Sequence, residues 1–190
     1  MLESLLTEIR QCTVCEPHLP LGANPVIRAH SAAKILIIGQ APGTKVHNTS
    51  IPWNDASGER LRQWLGLDHE AFYCQENIAI MPMGLCYPGK GRSGDLPPRK
   101  ECAPLWHAKV LEQLPNRQLT LLIGQYAQHY YLSDKPSTLT ETVQQWQRWA
   151  PSVLPLPHPS PRNTLWLRNH PWFEQDIVPY LRQRVKQVLT

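Results

Sequence analysis

The sequence has no apolar run that approaches the roughly 20 residues needed by a membrane-spanning helix. Its amino terminus, MLESLLTEIRQC, lacks the small-residue cleavage site of a signal peptide and carries acids at Glu3 and Glu8. We therefore expect this segment to form the first helix of a cytoplasmic protein. Internal repeats, low-complexity tracts and linkers are also absent, so we expect a single domain over residues 1–190.

The sequence also lacks a strong excess of charge of either sign. Nineteen Lys and Arg residues against 15 Asp and Glu residues give a formal net charge of +4. A mildly basic protein can bind nucleic acid, but this charge does not require it.

Proline, in contrast, is abundant, with 19 residues. The prolines cluster in four segments, LPLGANP, MPMGLCYPG, DLPPRKECAP and LPLPHPSPR. Because the proline ring fixes φ, these segments should form stiff loops. Stiff loops suit a preorganised binding site, although they can also serve only to stabilise connections.

Short apolar runs alternate with segments of helical periodicity. The apolar runs predict buried strands at residues 34–39, 76–82, 119–124 and 152–157. Helices are predicted at residues 2–11, 58–67, 100–114, 125–132 and 138–150, and in a last segment with an apolar stripe of Phe173, Ile177, Val178, Leu181, Val185 and Val188. Strands that alternate with helices predict an α/β fold with a mostly parallel sheet.

Three of the predicted strands end in unusual loops, GQAPG, PMGLCYPG and HPSPRN. Ligands of parallel α/β sheets bind beyond the carboxyl ends of the strands, so we expect these loops to converge on one site. The loop over residues 82–99 is long, and long loops are often functional.

The five cysteines suggest a metal site. Cys12 and Cys15 form a C-x-x-C that precedes the first predicted strand, whereas a redox pair normally follows that strand. A structural disulfide is not expected in a cytosolic protein. Cys86 and Cys102 can supply two further ligands, and four thiolates suit either an iron–sulfur cluster or a tetrahedral zinc ion. Cys74 is interpreted as a small buried residue.

His158 follows the last predicted strand and lies between two prolines. A histidine held in this way can donate a hydrogen bond to developing negative charge or shuttle a proton, but it can also be a loop residue bonded to a carbonyl. Ser160, Arg162 and Asn163 follow directly, and their side chains can contact phosphates.

The ordered set of motifs resembles the uracil-DNA glycosylase superfamily, most closely its bacterial and archaeal iron–sulfur branch. The set comprises the C-x-x-C, ILIIGQAPG, PWNDASGERL, the second cysteine pair, LTLLIGQYA and HPSPRN, and it extends over nearly the whole chain. The resemblance implies a three-layer domain in which helices flank a central, mostly parallel four-stranded sheet. It also implies DNA as the partner, no membrane, no obligate protein partner and a monomer.

The resemblance further implies roles for individual residues. Trp53 would stack on a flipped uracil, and His158 would stabilise the uracil O2 as negative charge builds on the leaving base. The turn that cradles the base and the attacking water would consist of Gly39, Gln40, Ala41, Pro42 and Gly43. The loop that enters the DNA minor groove would consist of Ser160, Pro161, Arg162 and Asn163. The ligands of a structural 4Fe-4S cluster, with zinc as the alternative, would be Cys12, Cys15, Cys86 and Cys102.

Two positions depart from the family pattern. Gln40 stands where the family often has Glu, and an amide can position water but cannot take its proton. We therefore consider Asp55 as the group that steadies a cationic sugar or acts as the base. The family places an asparagine that reads the pyrimidine edge where this chain has Met81, so Asn77 is considered for that role. These departures leave open whether the target is uracil, a deaminated purine or another damaged base.

The sequence therefore predicts a monofunctional DNA glycosylase, because no lysine stands as a clear Schiff-base nucleophile. The alternative is a catalytically weak or inactive protein that binds nucleic acid or a damaged base on the same fold. A third interpretation is an unrelated α/β protein with a zinc knot.

Overall fold

The structure of the protein is a computed structural model that describes residues 1–190. Its strands are β1 (Ile35–Ile38), β2 (Ile78–Ile80), β3 (Lys90–Gly91), β4 (Gly94–Asp95), β5 (Leu119–Ile123) and β6 (Val153–Leu156). Four of them form a parallel sheet with the spatial order β2-β1-β5-β6. The remaining two, β3 and β4, form a separate antiparallel hairpin.

The sheet is buried on both faces. In β1, Ile35 and Ile37 pack into the apolar cluster on one face, whereas Leu36 and Ile38 pack into the cluster on the other. Successive side chains of a strand point to opposite faces, so a strand covered on both sides must be apolar throughout. This requirement explains the uninterrupted run ILII and gives the fold its three layers.

The helices that cover the sheet are mostly short. They are α1 (Leu2–Arg10), α2 (Thr44–Thr49), α3 (Ala56–Leu65), α4 (His69–Phe72), α5 (Ala108–Glu112), α6 (Gln125–Tyr131), α7 (Leu139–Gln144), α8 (Thr164–Asn169) and α9 (Val178–Leu189). Single π-helical segments, Ala103–His107 and Phe173–Ile177, lead directly into α5 and α9. None of these helices is both long enough and apolar enough to cross a membrane.

The predicted α/β fold with a parallel four-stranded sheet is confirmed. All four predicted strands exist, each one to four residues shorter than expected. The helix predicted at 138–150 is wrong beyond residue 144, where the chain turns into the 3-10 segment Trp146–Arg148. The helices α2, α4 and α8 and the β3–β4 hairpin were not predicted, because each is too short to show a periodic pattern.

Candidate active site

A cavity of about 520 Å³ opens at the carboxyl ends of the sheet strands. Its walls come from the turn after β1, the segment before α3, the β3–β4 hairpin and the loop after β6. The residues that line the cavity include Gly39, Gln40, Ala41, Pro42, Gly43, Trp53, Asp55, Lys90, Asp95, His158, Ser160, Arg162 and Asn163. The volume is that of a small-molecule site, and the predicted convergence of the GQAPG and HPSPRN loops is present in the structure.

Gly39 allows the indole of Trp53 to lie against the end of β1. A Cβ atom added at Gly39 would lie 2.8 Å from the Cζ2 atom of Trp53, a separation that real side chains do not adopt. Trp53 itself has a φ of +59°, a left-handed conformation that is strained for a bulky residue. Residue 39 must therefore be glycine for the tryptophan to form this wall of the cavity.

The backbone around Trp53 is held from the other side. A Cβ atom at Gly58 would lie 1.7 Å from the carbonyl oxygen of Trp53, so α3 approaches this carbonyl as closely as only glycine permits. The guanidinium of Arg62 donates a hydrogen bond to the same carbonyl at 3.1 Å. The hydroxyl of Tyr73 donates to the carbonyl of Pro52 at 2.7 Å. These contacts fix the strained residue in one position.

Asp55 begins α3. Its Oδ1 atom accepts a hydrogen bond from the backbone N–H of Gly58 at 2.9 Å, which is the usual arrangement of a helix N-cap. The carboxylate also lines the cavity, and its charge acts on His158. One carboxylate oxygen therefore caps the helix, and the negative charge of the group lies at the wall of the cavity.

His158 is held as a neutral imidazole with one defined tautomer. Its Nδ1 atom accepts a hydrogen bond from the backbone N–H of Ser160 at 3.1 Å, so the ring proton resides on Nε2. Burial lowers the pKa of His158, and the nearby charge of Asp55 only partly offsets this effect. The ring lies 5.6 Å from that of Trp53, centroid to centroid. Nε2–H has no acceptor within the protein and remains free for a ligand in the cavity.

The loop after β6 is braced by its own hydrogen bonds. The Asn163 side-chain amide donates to the carbonyl of His158 at 2.8 Å, and the Ser160 hydroxyl accepts from the N–H of Arg162 at 3.2 Å. Arg60 of α3 donates to the carbonyl of Ser160 at 3.2 Å. The exposed Arg162 extends toward the hairpin, where a Cβ atom at Gly94 would lie 2.6 Å from its Nη1 atom.

Gln40 and Pro82 belong to the floor of the cavity. The carbonyl of Gln40 accepts from the N–H of Gly84 at 3.0 Å, but its side-chain amide makes no hydrogen bond within the protein. The carbonyl of Pro82 accepts from Nε2 of the buried His107 at 3.0 Å, and the hydroxyl of Tyr131 meets Nδ1 of that ring at 2.5 Å. Burial lowers the pKa of His107 to about 4, and the hydrogen bond to Pro82 offsets little of this effect.

The structure corrects the prediction that Asn77 and Met81 contact the base. Asn77 precedes β2 at the opposite end of the sheet, where its carbonyl accepts from the N–H groups of Lys34 and Ile35, both at 3.0 Å. Met81 is only 1% exposed and packs into a core cluster. Neither side chain lines the cavity. Because successive side chains point to opposite faces of the sheet, Ile80 and not Met81 faces the cavity.

Sequence reasoning missed the hairpin side of the cavity. Lys90, Ser93 and Asp95 line it from β3, β4 and the turn between them. The length of the loop over residues 82–99 was the signal that could have drawn attention to them. Strands of two residues each carry no alternating pattern, so nothing in the sequence indicated which side chains face the site.

The four predicted cysteine ligands meet around a second, much smaller pocket. Cys12, Cys15, Cys86 and Cys102 all line it, together with apolar residues, whereas Cys74 does not. Burial raises the pKa of Cys86 and of Cys15 to about 11 and also raises that of Cys102. The charges of the neighbouring cysteines raise these pKa values further. The Cys15 thiol donates to the carboxylate of Glu101 at 3.0 Å.

As these side chains stand, no group of three or more His, Cys, Asp or Glu residues is arranged to hold a metal ion. The donor set nevertheless has the chemistry of a metal site, because four cysteine side chains line one pocket and thiolate sulfur is a preferred ligand of zinc and of iron–sulfur clusters. All four cysteines are free of disulfides and line the same pocket, so their thiols are available as ligands.

Comparison with known proteins adds two findings. A family model described as the uracil DNA glycosylase superfamily matches residues 28–182. A Type-4 uracil-DNA glycosylase of Thermotoga maritima is 22% identical over 162 residues, which cover 84% of this chain and 82% of that protein. The family match covers the cavity lining from Gly39 to Asn163, and Val26 is the one lining residue that precedes it.

Proposed function

Because the chain belongs to the uracil-DNA glycosylase superfamily, we propose that it hydrolyses the N-glycosidic bond of uracil or another deaminated base that has been flipped out of DNA. The observation that carries this proposal is the cavity in which His158, Trp53 and Asp55 surround a space large enough for one base. A glycosylase must bury the extruded base in such a pocket to reach its glycosidic bond.

His158 is the group proposed to stabilise the leaving base. When the bond between C1′ and the base nitrogen breaks, the electron pair moves onto the base and a neutral pyrimidine becomes an anion. The Nε2–H of His158 is free, and the Ser160 N–H on Nδ1 fixes its direction. A preorganised donor of this kind stabilises charge that develops only in the transition state.

Asp55 is proposed to stabilise the other half of the reaction. Loss of the base leaves positive charge on the sugar, and a carboxylate beside the cavity lowers the energy of that cation. Its hydrogen bond to Gly58 keeps the carboxylate in place without neutralising it. Gln40, whose side-chain amide has no partner in the protein, can orient water or a polar edge of the base.

Trp53 and the loop after β6 are proposed to hold the flipped nucleotide. The indole provides a flat apolar wall, and stacking on such walls is tolerant of base identity. Ser160, Pro161, Arg162 and Asn163 project from the rim of the cavity and are proposed to contact the DNA from which the base has left. We propose that the protein acts as a monomer, which leaves this rim free.

Cys12, Cys15, Cys86 and Cys102 are proposed to hold a 4Fe-4S cluster, with zinc as the alternative. Such a group would supply a structural cross-link rather than chemistry at the base, because the cysteine pocket and the base cavity share no lining residue. The resemblance to the iron–sulfur branch supports iron over zinc.

A base-excision assay tests the proposal. Oligonucleotides that carry one uracil, hypoxanthine or xanthine, single-stranded or paired, would be incubated with the protein and then treated with hot alkali to reveal abasic sites. We expect cleavage that depends on the alkali, since a monofunctional enzyme does not cut the strand itself. Binding of damaged DNA without release of any base would instead establish a non-catalytic binding protein.

A further inference from the structure

The β3–β4 hairpin brings a second carboxylate, that of Asp95, to the cavity. Its Oδ2 atom lies against the turn after β1, at 3.7 Å from the position of a Cβ atom on Gly43. The Asp95 carboxylate accepts no hydrogen bond from the protein and forms no ion pair within 4.0 Å, so both of its oxygens are available. The turn that it faces is the one in which Gln40 replaces the family's frequent Glu.

The surroundings of Asp95 suit a proton acceptor. Its charged neighbours are Lys90, which is its partner across the hairpin, and Arg162 from the loop after β6. Tyr87 is a further neighbour: burial raises the pKa of its phenol, and the charge of the Asp95 carboxylate raises it further. Asp95 is exposed, but loss of hydration at the cavity wall raises the pKa of its carboxylate, and the charges of the two cations only partly offset this effect. The carboxylate is therefore more basic than that of a fully hydrated aspartate.

We propose that Asp95 is the general base that takes the proton from the attacking water, an inference that rests on the glycosylase function proposed above. After the base leaves with the electron pair of its bond, a water oxygen bonds to C1′ and one of its protons passes to the Asp95 carboxylate. The products are the abasic sugar and the free base, which regains a proton from solvent. Gln40 can then orient this water without having to accept its proton.

The two carboxylates of the cavity, Asp55 and Asp95, would then have different roles in the reaction. Asp55 has one oxygen bound by the cap of α3, so its role is to stabilise the cationic sugar. Asp95 lies on a hairpin outside the sheet and has no such structural bond. The two residues therefore predict different consequences when each is replaced by its amide.

The first test is the single-turnover rate of Asp95→Asn on whichever substrate the wild-type protein cleaves. Loss of a general base typically lowers the rate by about 10²–10⁴-fold, and we expect a loss in this range. The acidic limb of the wild-type pH–rate profile should disappear in the variant, and its affinity for DNA with an abasic site should stay within about threefold. Glu70→Gln, an exposed acid on α4 outside the cavity, is the matched control and should leave the rate unchanged.

A second test separates chemistry from shape. Formate should restore part of the rate of Asp95→Ala, since it can enter the open cavity and accept the proton, and it should not accelerate His158→Ala. A rate for Asp95→Asn within threefold of wild type, an acidic limb that persists, or absence of rescue by formate would overturn the inference. If the wild-type protein itself releases no base, the proposed function fails instead, so the two failures are distinguishable.

Discussion

The backbone N–H of Ser160 donates a hydrogen bond to Nδ1 of His158 at 3.1 Å, and this single contact decides which proton His158 can offer. The ring stays neutral because burial lowers its pKa, and its Nε2–H faces the cavity. Because the donor is a backbone N–H, the contact requires a residue other than proline two positions after the histidine in HPSPRN.

His158→Ala should lower the single-turnover rate by about 10²–10³-fold, because one donor to the developing anion is lost. The measurement is base release from the best substrate. His129→Ala replaces an exposed histidine of α6 outside the cavity and should retain the wild-type rate. A near wild-type rate for His158→Ala would remove this residue from the mechanism.

Asp55→Asn should lower the rate without unfolding the protein. Asparagine caps helices about as well as aspartate, so the thermal midpoint should change little, while the charge that stabilises the sugar cation is removed. Asp68→Asn is a matched control: Asp68 caps α4 through a 2.8 Å bond to the N–H of Ala71 but lies outside the cavity. Full activity of Asp55→Asn would exclude the proposed electrostatic role.

Gly39→Ala should impair activity through Trp53. The added methyl group would meet the indole at 2.8 Å, so the indole must move and the cavity loses its wall. The same substitution in a Trp53→Ala background should have a much smaller effect on the free energy of unfolding, since nothing remains to clash. Equal effects in the two backgrounds would show that the glycine serves another purpose.

Cys86→Ser should reduce the iron content and the visible absorbance of protein purified without oxygen. Cys74→Ser, which changes the cysteine outside the small pocket, should retain both. Metal analysis also separates the two candidate groups, because a colourless protein that holds zinc would favour the alternative. Equal metal content in the two variants would contradict the proposed ligand set.

His107 should make the fold less stable in acid. Its pKa is about 4 in the folded protein and about 6.5 when unfolded, so the unfolded chain binds a proton first as the pH falls. The free energy of unfolding should therefore decrease by up to about 3 kcal/mol from this residue between pH 7 and pH 4. Urea titrations of wild type and His107→Gln would measure the difference, which should be absent if the ring is already protonated in the fold.

The sheet and half of the cavity could be predicted because their signals are local. The strands around Ile35 and Leu119 are buried on both faces and must be apolar, and the prolines and glycines that end them mark tight turns. The positions of Asn77 and Met81 could not be predicted by alignment to a family pattern. The position of Asn77 depends on which end of β2 it occupies, and that of Met81 depends on which face of the sheet its side chain points to. Both depend on how the strand is placed in the folded sheet.

The position of Asp95 in the cavity could not be predicted from the sequence for a different reason. Asp95 lies far along the chain from Gly43, and the two meet only because a hairpin of four paired residues folds back over the sheet edge. Neither strand is long enough to reveal its periodicity. In this hairpin Gly94 has a φ of +104°, which favours glycine, and the Arg162 side chain packs against it.

The two ends of the segment that contains the hairpin lie close together. Cys86 and Cys102 line the same small pocket, and fifteen residues separate them in the sequence. A loop whose ends are already joined can lengthen at little entropic penalty, because each doubling of its length opposes folding by only about 0.6 kcal/mol. The segment that carries Lys90 and Asp95 can therefore change in length with little effect on the free energy of folding. Changes in this segment would alter the hairpin side of the cavity while the sheet beneath it stays the same.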